Sequence, residues 1–145
     1  MQRTWMLASL VLLHGALACK DHERLDPQAL RREWAAKAPA QYVARVCASG
    51  FIQRSCTVSA VDQLQPVETL ERVLDGEWTP SVDLVDPVES LVASYASGPD
   101  GCKVTIEHDA QLGYPQRVDV ECSEESYTRS IDCFIADTLD VSRCQ

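Results

Sequence analysis

The sequence predicts an α+β domain: an antiparallel sheet with two helices packed on one face, reinforced by disulfides. Three observations carry that expectation. Two segments open on Asp-Pro, at Asp26 and Asp86, and continue with apolar residues at helical spacing. Between and after them lie short runs that alternate apolar with polar residues, the pattern of half-buried strands. Six cysteines, Cys47, Cys56, Cys102, Cys122, Cys133 and Cys144, fall in or beside those runs without C-x-x-C spacing. That spacing favours disulfides over a zinc site.

In LDPQALRREWAAKAP, Asp26 is the expected N-cap and Pro27 the first helical residue, since a missing N–H costs nothing in the first turn. Leu25 and Leu30 stand at the two positions of a hydrophobic staple. Leu30, Trp34 and Ala38 make one apolar face, and Pro39 ends the helix. QYVARVCA, residues 41–48, is rich in β-branched and aromatic residues and predicts a strand, broken by SGF. SCTVSAV and LQPVETLERV predict two further strands around a turn at Asp62-Gln63, with a short helix as the alternative for VETLERVL. DGEWTPSVDLVDP is expected to be loop, with Trp78 either covering the core or exposed as a contact residue.

The second helical segment, DPVESLVASYASGP, has Asp86 as N-cap, Pro87 at N1 and Glu89 at N3, where it can complete a capping box. Val88, Leu91, Val92 and Tyr95 form its buried stripe, and Gly98-Pro99 stops it. The rest is β-rich. CKVTIEHD alternates, with Val104, Ile106 and His108 inward and Lys103, Thr105 and Glu107 outward. AQLGYP is a turn, QRVDVEC returns with Val118 and Val120 inward, SEES turns again, and YTRSIDCFIAD is the last strand. The order helix, strands, helix, strands suggests a duplicated half.

The N-terminus has the form of an export signal. Arg3 supplies the positive end, WMLASLVLL (Trp5 to Leu13) the apolar stretch, and Ala16-Leu17-Ala18 the small residues that a leader peptidase requires. That stretch falls far short of the roughly 20 residues a membrane-spanning helix needs. ALAC, residues 16–19, also resembles a bacterial lipobox, although Ala16 stands where that motif prefers Leu. Parity points the same way: the chain has seven cysteines, and an exported protein with a leftover thiol is unusual. Lipidation of Cys19 leaves six for three disulfides. The expected organisation is a signal peptide over residues 1–18, a charged tether over 19–25 and a single α+β domain over 26–145. A bacterial envelope protein anchored by lipid follows, in the outer membrane rather than the inner, since Lys20 and no Asp follows Cys19. The alternative is a secreted or periplasmic product of ordinary cleavage.

Charge narrows the partners. All 22 acidic residues but only 12 of the 13 basic ones follow Cys19, leaving the mature chain at about −10. Such a balance disfavours nucleic acid, whose phosphates demand Lys and Arg, and disfavours electrostatic attachment to anionic lipid. The expected partners are a membrane, through the lipid, and another envelope protein or glycan.

Catalytic patterns are absent: there is no G-x-S-x-G, no H-E-x-x-H and no phosphate-cradling glycine loop. His22 and His108 are the histidines beyond the leader, and His108 is expected as a satisfied side chain at a sheet edge. Asp119, Glu121, Glu124, Glu125 and Asp132 are oxygen ligands of the kind Ca²⁺ prefers, but a solvated strand face explains them better. Neither a catalytic residue, a metal ligand nor a cofactor is assigned. Cys47–Cys56, Cys102–Cys122 and Cys133–Cys144 is the pairing chosen among fifteen; a hairpin centred on Leu112 sets Cys102 opposite Cys122.

Leu112-Gly113-Tyr114-Pro115 is expected to be a scaffold turn. Gly113 suits a positive φ, Pro115 suits the first residue of the returning strand, and Tyr114 covers the hairpin's end with a hydroxyl that finds a partner. The functional alternative has Tyr114 projecting outward to stack on a ligand. Together with Tyr42, Cys47, the helix from Pro87, Asp109 and Glu125-Ser126-Tyr127, this turn resembles the bacterial family called domain of unknown function 6174, over roughly Trp34 to Asp137. Members of the family often have a closer cysteine pair near the start than Cys47 and Cys56. The resemblance implies the fold and an exported setting, and no activity. The function expected is therefore that of a lipid-anchored binding or structural module. Its alternatives are a secreted inhibitor-like domain presenting Asp75 to Ser81, or an exported hydrolase without a recognisable motif.

Overall fold

A computed structural model describes residues 24–50 and 54–145. The leader, Cys19 and most of the tether lie outside the described residues, as does Phe51 of the SGF break. Seven strands form one antiparallel sheet in the order β4-β3-β2-β1-β7-β6-β5. They are β1 (Gln41–Ser49), β2 (Ser55–Asp62), β3 (Gln65–Val73), β4 (Thr79–Pro80), β5 (Lys103–His108), β6 (Pro115–Glu121) and β7 (Ser126–Ala136). Helix α1 (Pro27–Lys37) precedes β1, α2 (Pro87–Ala96) precedes β5, and a 3₁₀ turn (Val141–Cys144) closes the chain. The architecture is α+β.

Both helices start where aspartate can cap them. Asp26 accepts from the Gln28 N–H, and Asp86 from those of Val88 and Glu89, satisfying N–H groups that the first turn leaves orphaned. Glu89 does not complete a capping box. Its carboxylate is held by Arg31 of α1 instead, at 2.7 to 3.0 Å, because a full cation outcompetes one backbone N–H. Leu25 remains half-exposed, and it is its N–H, bonded to the Tyr95 hydroxyl at 2.8 Å, that fixes the chain's entry to α1.

VETLERV is strand, not helix: its backbone groups pair with β2. The turn before it puts Gln63 and Leu64 both at positive φ, the two-residue geometry whose twist matches flanking strands. The long loop after β3 contains β4, which pairs Thr79 with Glu71 and Pro80 with Leu70.

Side chains along β1 alternate between two clusters. Tyr42, Ala44 and Val46 join Leu30 and Trp34 of α1, Val88, Leu91, Val92 and Tyr95 of α2, and Val118 and Val120 of β6. Val43 joins Val58, Ala60, Val141 and Cys144, with Leu70, Trp78 and Ile135 packed against them. Disulfides join Cys47–Cys56, Cys102–Cys122 and Cys133–Cys144. Cys47 and Cys56 face each other directly across β1 and β2. Lys103 opposite Glu121 sets the flanking Cys102 and Cys122 side by side. The last disulfide ties the 3₁₀ turn, which the sequence pattern did not anticipate, to β7.

Candidate functional site

Where α1 passes α2, a cleft of about 210 Å³ opens, lined by Arg31, Trp34, Leu64, Asp86, Val88 and Val92, among others. The first helix supplies Arg31 and Trp34, and the turn between β2 and β3 supplies Leu64. The second helix begins at the cleft, so its cap, Asp86, stands in the wall. Local rules explain each element but not their meeting.

Asp86 does more than cap. Its Oδ1 accepts from the Tyr42 hydroxyl at 3.1 Å as well as from the N–H groups of Val88 and Glu89. Burial raises the Asp86 carboxyl above the usual aspartate range, against the pull of those hydrogen bonds, and the Glu89 charge adds to the rise. Burial also raises the Tyr42 hydroxyl, reinforced by the Asp86 charge. Trp34 stands beside Tyr42 with ring centroids 5.8 Å apart, edge to face, and its indole N–H makes no hydrogen bond of good geometry among the described residues. At the rim, Arg31 and Glu89 neutralise each other. The cleft thus offers apolar walls, one satisfied ion pair and one carboxylate with no counter-charge among the described residues.

Gly113, Tyr114 and Pro115 lie elsewhere, at the end of the β5–β6 hairpin. Gly113 has φ +70°, Asp109 caps the turn by accepting from the N–H groups of Gln111 and Leu112, and Pro115 opens β6. Tyr114 is 6% exposed and stacks on Phe134 at 4.4 Å, so it does not project outward. Its hydroxyl makes no hydrogen bond among the described residues, contrary to expectation: the ring is held by stacking.

His108 is exposed, not turned inward. The β5–β6 register shifts between Glu107 and His108, which breaks the alternation one residue early. Partial desolvation of the ring on its covered side, with help from the Lys37 charge, lowers its pKa. It makes no hydrogen bond among the described residues, and no carboxylate–histidine–hydroxyl constellation forms around it. The acidic residues are dispersed rather than gathered. Asp119 is held by Arg117 and Thr128, and Asp132 by Arg45; no group of three metal-ligating side chains occurs among the described residues. Trp78 is half-buried, with the Arg72 guanidinium 4.6 Å above its ring. No helix among the described residues is long and apolar enough to cross a membrane. Compared with known proteins, the chain matches no family model and no curated protein.

Sequence reasoning placed Asp86 only as a cap, and Arg31 and Tyr42 in no site at all. One signal was available: an Asp-Pro cap between a hydrophobic loop and a hydrophobic helix sits where burial is strong.

Proposed function

We propose that this chain is a small lipid-anchored module of the bacterial cell envelope, held by acyl groups on Cys19, that binds another envelope protein or glycan through the cleft between its helices. The observation that carries the anchor is a thiol count. Seven cysteines are present and six are engaged in disulfides, so Cys19 is the one left, and it stands directly after the lipobox-like Ala16-Leu17-Ala18. Disulfides themselves suit an oxidising compartment outside the cytosol. The resemblance to the exported family called domain of unknown function 6174 supports the same setting, and Lys20 favours the outer membrane.

In this reading both helices pack on one face of the sheet, supported by the cluster that their buried residues share with Tyr42, Ala44 and Val46. The tether at residues 19–25 then delivers the domain from the membrane. Arg24 anchors its end to the carbonyl of Gly98 at 3.1 Å, beside the C-terminus of α2.

Cell fractionation tests the anchor. The parent chain is expected in the membrane fraction and Cys19→Ser in the soluble fraction. A parent chain that is soluble in the same cells overturns the anchor. Crosslinking from Ala35, at the mouth of the cleft, in intact cells tests the binding site.

A further inference from the structure

The two edges of the sheet are not alike. At one end stands β4, two residues long and containing Pro80; its shortness and its missing N–H blunt that edge against further pairing. At the other end stands β5, six residues without a proline, paired on one side only, with β6. Its register is regular from Lys103 to Glu107. Cys102 and Cys122, just before that pairing begins, have Cα atoms 4.5 Å apart, the spacing of a pair that exchanges no backbone hydrogen bonds. Alternation from there directs the backbone groups of Lys103, Thr105 and Glu107 toward β6, and those of Val104 and Ile106 outward. No turn, loop or side chain bonds those outward groups among the described residues.

We infer that the β5 edge pairs with the β5 edge of a second copy of the chain, antiparallel about a twofold axis through Thr105. The strand is self-complementary in that register. Lys103 falls opposite Glu107 of the second copy, Val104 opposite Ile106, and Thr105 opposite itself. Val104 and Ile106 are the residues whose N–H and C=O point outward, so they form the hydrogen-bonded pairs of the new ladder. Lys103, Thr105 and Glu107, all exposed, then take the closer positions between those bonds, where unlike charges directly opposite each other stabilise pairing. The symmetry supplies the ion pair on both sides of the axis. Within its own chain Lys103 meets Glu121 at 3.7 Å, with both side chains exposed, a contact of the kind worth little. Glu107 makes no salt bridge among the described residues. Lys103 and Glu107 cancel, so two copies of a chain with net charge −9 meet where their mutual repulsion is least. The interface is isologous and closes at two copies, and the blunt β4 edge offers no site for further growth.

Thr105→Cys tests the register. Two cysteines facing each other at such a position stand about 4.5 Å apart, within disulfide reach. Under mild oxidation in intact cells, the full chain carrying Thr105→Cys is expected to run as a dimer on a non-reducing gel, well above the parent chain treated alike. Adding Glu107→Lys opposes like charges on both sides of the axis and is expected to cut the crosslinked fraction. Adding Lys103→Glu as well restores unlike charges and is expected to bring the dimer back. Without oxidant, sedimentation of the full chain in detergent micelles is expected to show dimerisation weakened roughly tenfold or more by Glu107→Lys. An equimolar mixture of Lys103→Glu and Glu107→Lys chains, each impaired alone, is expected to recover it. A Thr105→Cys chain that crosslinks no more than the parent, or a crosslink indifferent to Glu107→Lys, overturns the inference. So does a chain that stays monomeric in micelles while Thr105→Cys captures a different protein, which would put a foreign strand on this edge. None of these measurements reads the cleft or the lipid, so their failure leaves the proposed function where it stands.

Discussion

On the side of β1 that carries Tyr42, Ala44 and Val46, fourteen buried residues share one cluster among the described residues. On the side that carries Val43, five do. The first side closes with aromatic rings: Trp34 meets Tyr42, Tyr114 and Phe134 edge to face, and Phe134 stacks on Tyr42 and Tyr114. The second closes with covalent and ionic links. Cys133–Cys144 straps the 3₁₀ turn down, and Arg45 reaches from Asp132 to the carbonyl of Cys144. Disulfides of this kind stand in for burial that a small domain cannot supply everywhere. On the thin side Arg45 is paired with Asp132, while Arg72 lies over the Trp78 ring with its Nε unpartnered among the described residues.

If burial holds the thick side, removing its central ring gives the largest effect. Trp34→Ala is expected to cost about 3–5 kcal/mol, read as a fall in the denaturation midpoint. The thin side should depend on its strap instead: Cys133→Ala with Cys144→Ala is expected to cost about 2–4 kcal/mol. If the double variant costs less than about 0.5 kcal/mol, the cross-link is not what holds that side, and the comparison breaks there.

The hairpin end sharpens it further. Gly113→Val is expected to cost about 1–3 kcal/mol through its positive φ, because the one neighbour a new Cβ meets is the flexible end of Lys37. Tyr114→Phe is expected to stay within about 0.5 kcal/mol of the parent, since stacking survives and no hydrogen bond is lost. A large loss in Tyr114→Phe would show a hydroxyl partner that this packing does not contain.

Two carboxylates, one at the start of α2 and one on β6, titrate in opposite senses. Asp86, raised by burial, contributes stability that is present below the ordinary aspartate value and is lost as pH rises through its raised pKa. Asp119, lowered chiefly by its hydrogen bond from Arg117, contributes stability present above the ordinary value and lost as pH falls through its lowered pKa. Carboxyl ¹³C titration checks both, and an Asp86 midpoint below the ordinary value contradicts its burial without a counter-charge.

Much of the fold was legible because its signals are local. Asp26-Pro27 and Asp86-Pro87 start helices by capping chemistry, and the alternation of Val118 and Val120 marks a strand facing a core. The site was less legible because it is assembled from distant pieces. Arg31 and Glu89 meet across 58 residues, so Glu89 looked like a capping-box residue. The bulge where β7 passes Arg45 and Val46 places Asp132 between the paired Ile131 and Cys133, and this re-aims its side chain toward Arg45. No periodicity announces such an insertion. His108 shows the converse: a two-residue period, extended one step past a register shift, turned an exposed side chain inward on paper.

The central claim is the anchor, and intact mass measurement of the mature protein isolated from cells tests it most directly. A chain beginning at Cys19 and carrying a diacylglyceryl group on its sulfur is the expected result. A chain beginning at Cys19 with an unmodified thiol, or one that begins elsewhere, would contradict it.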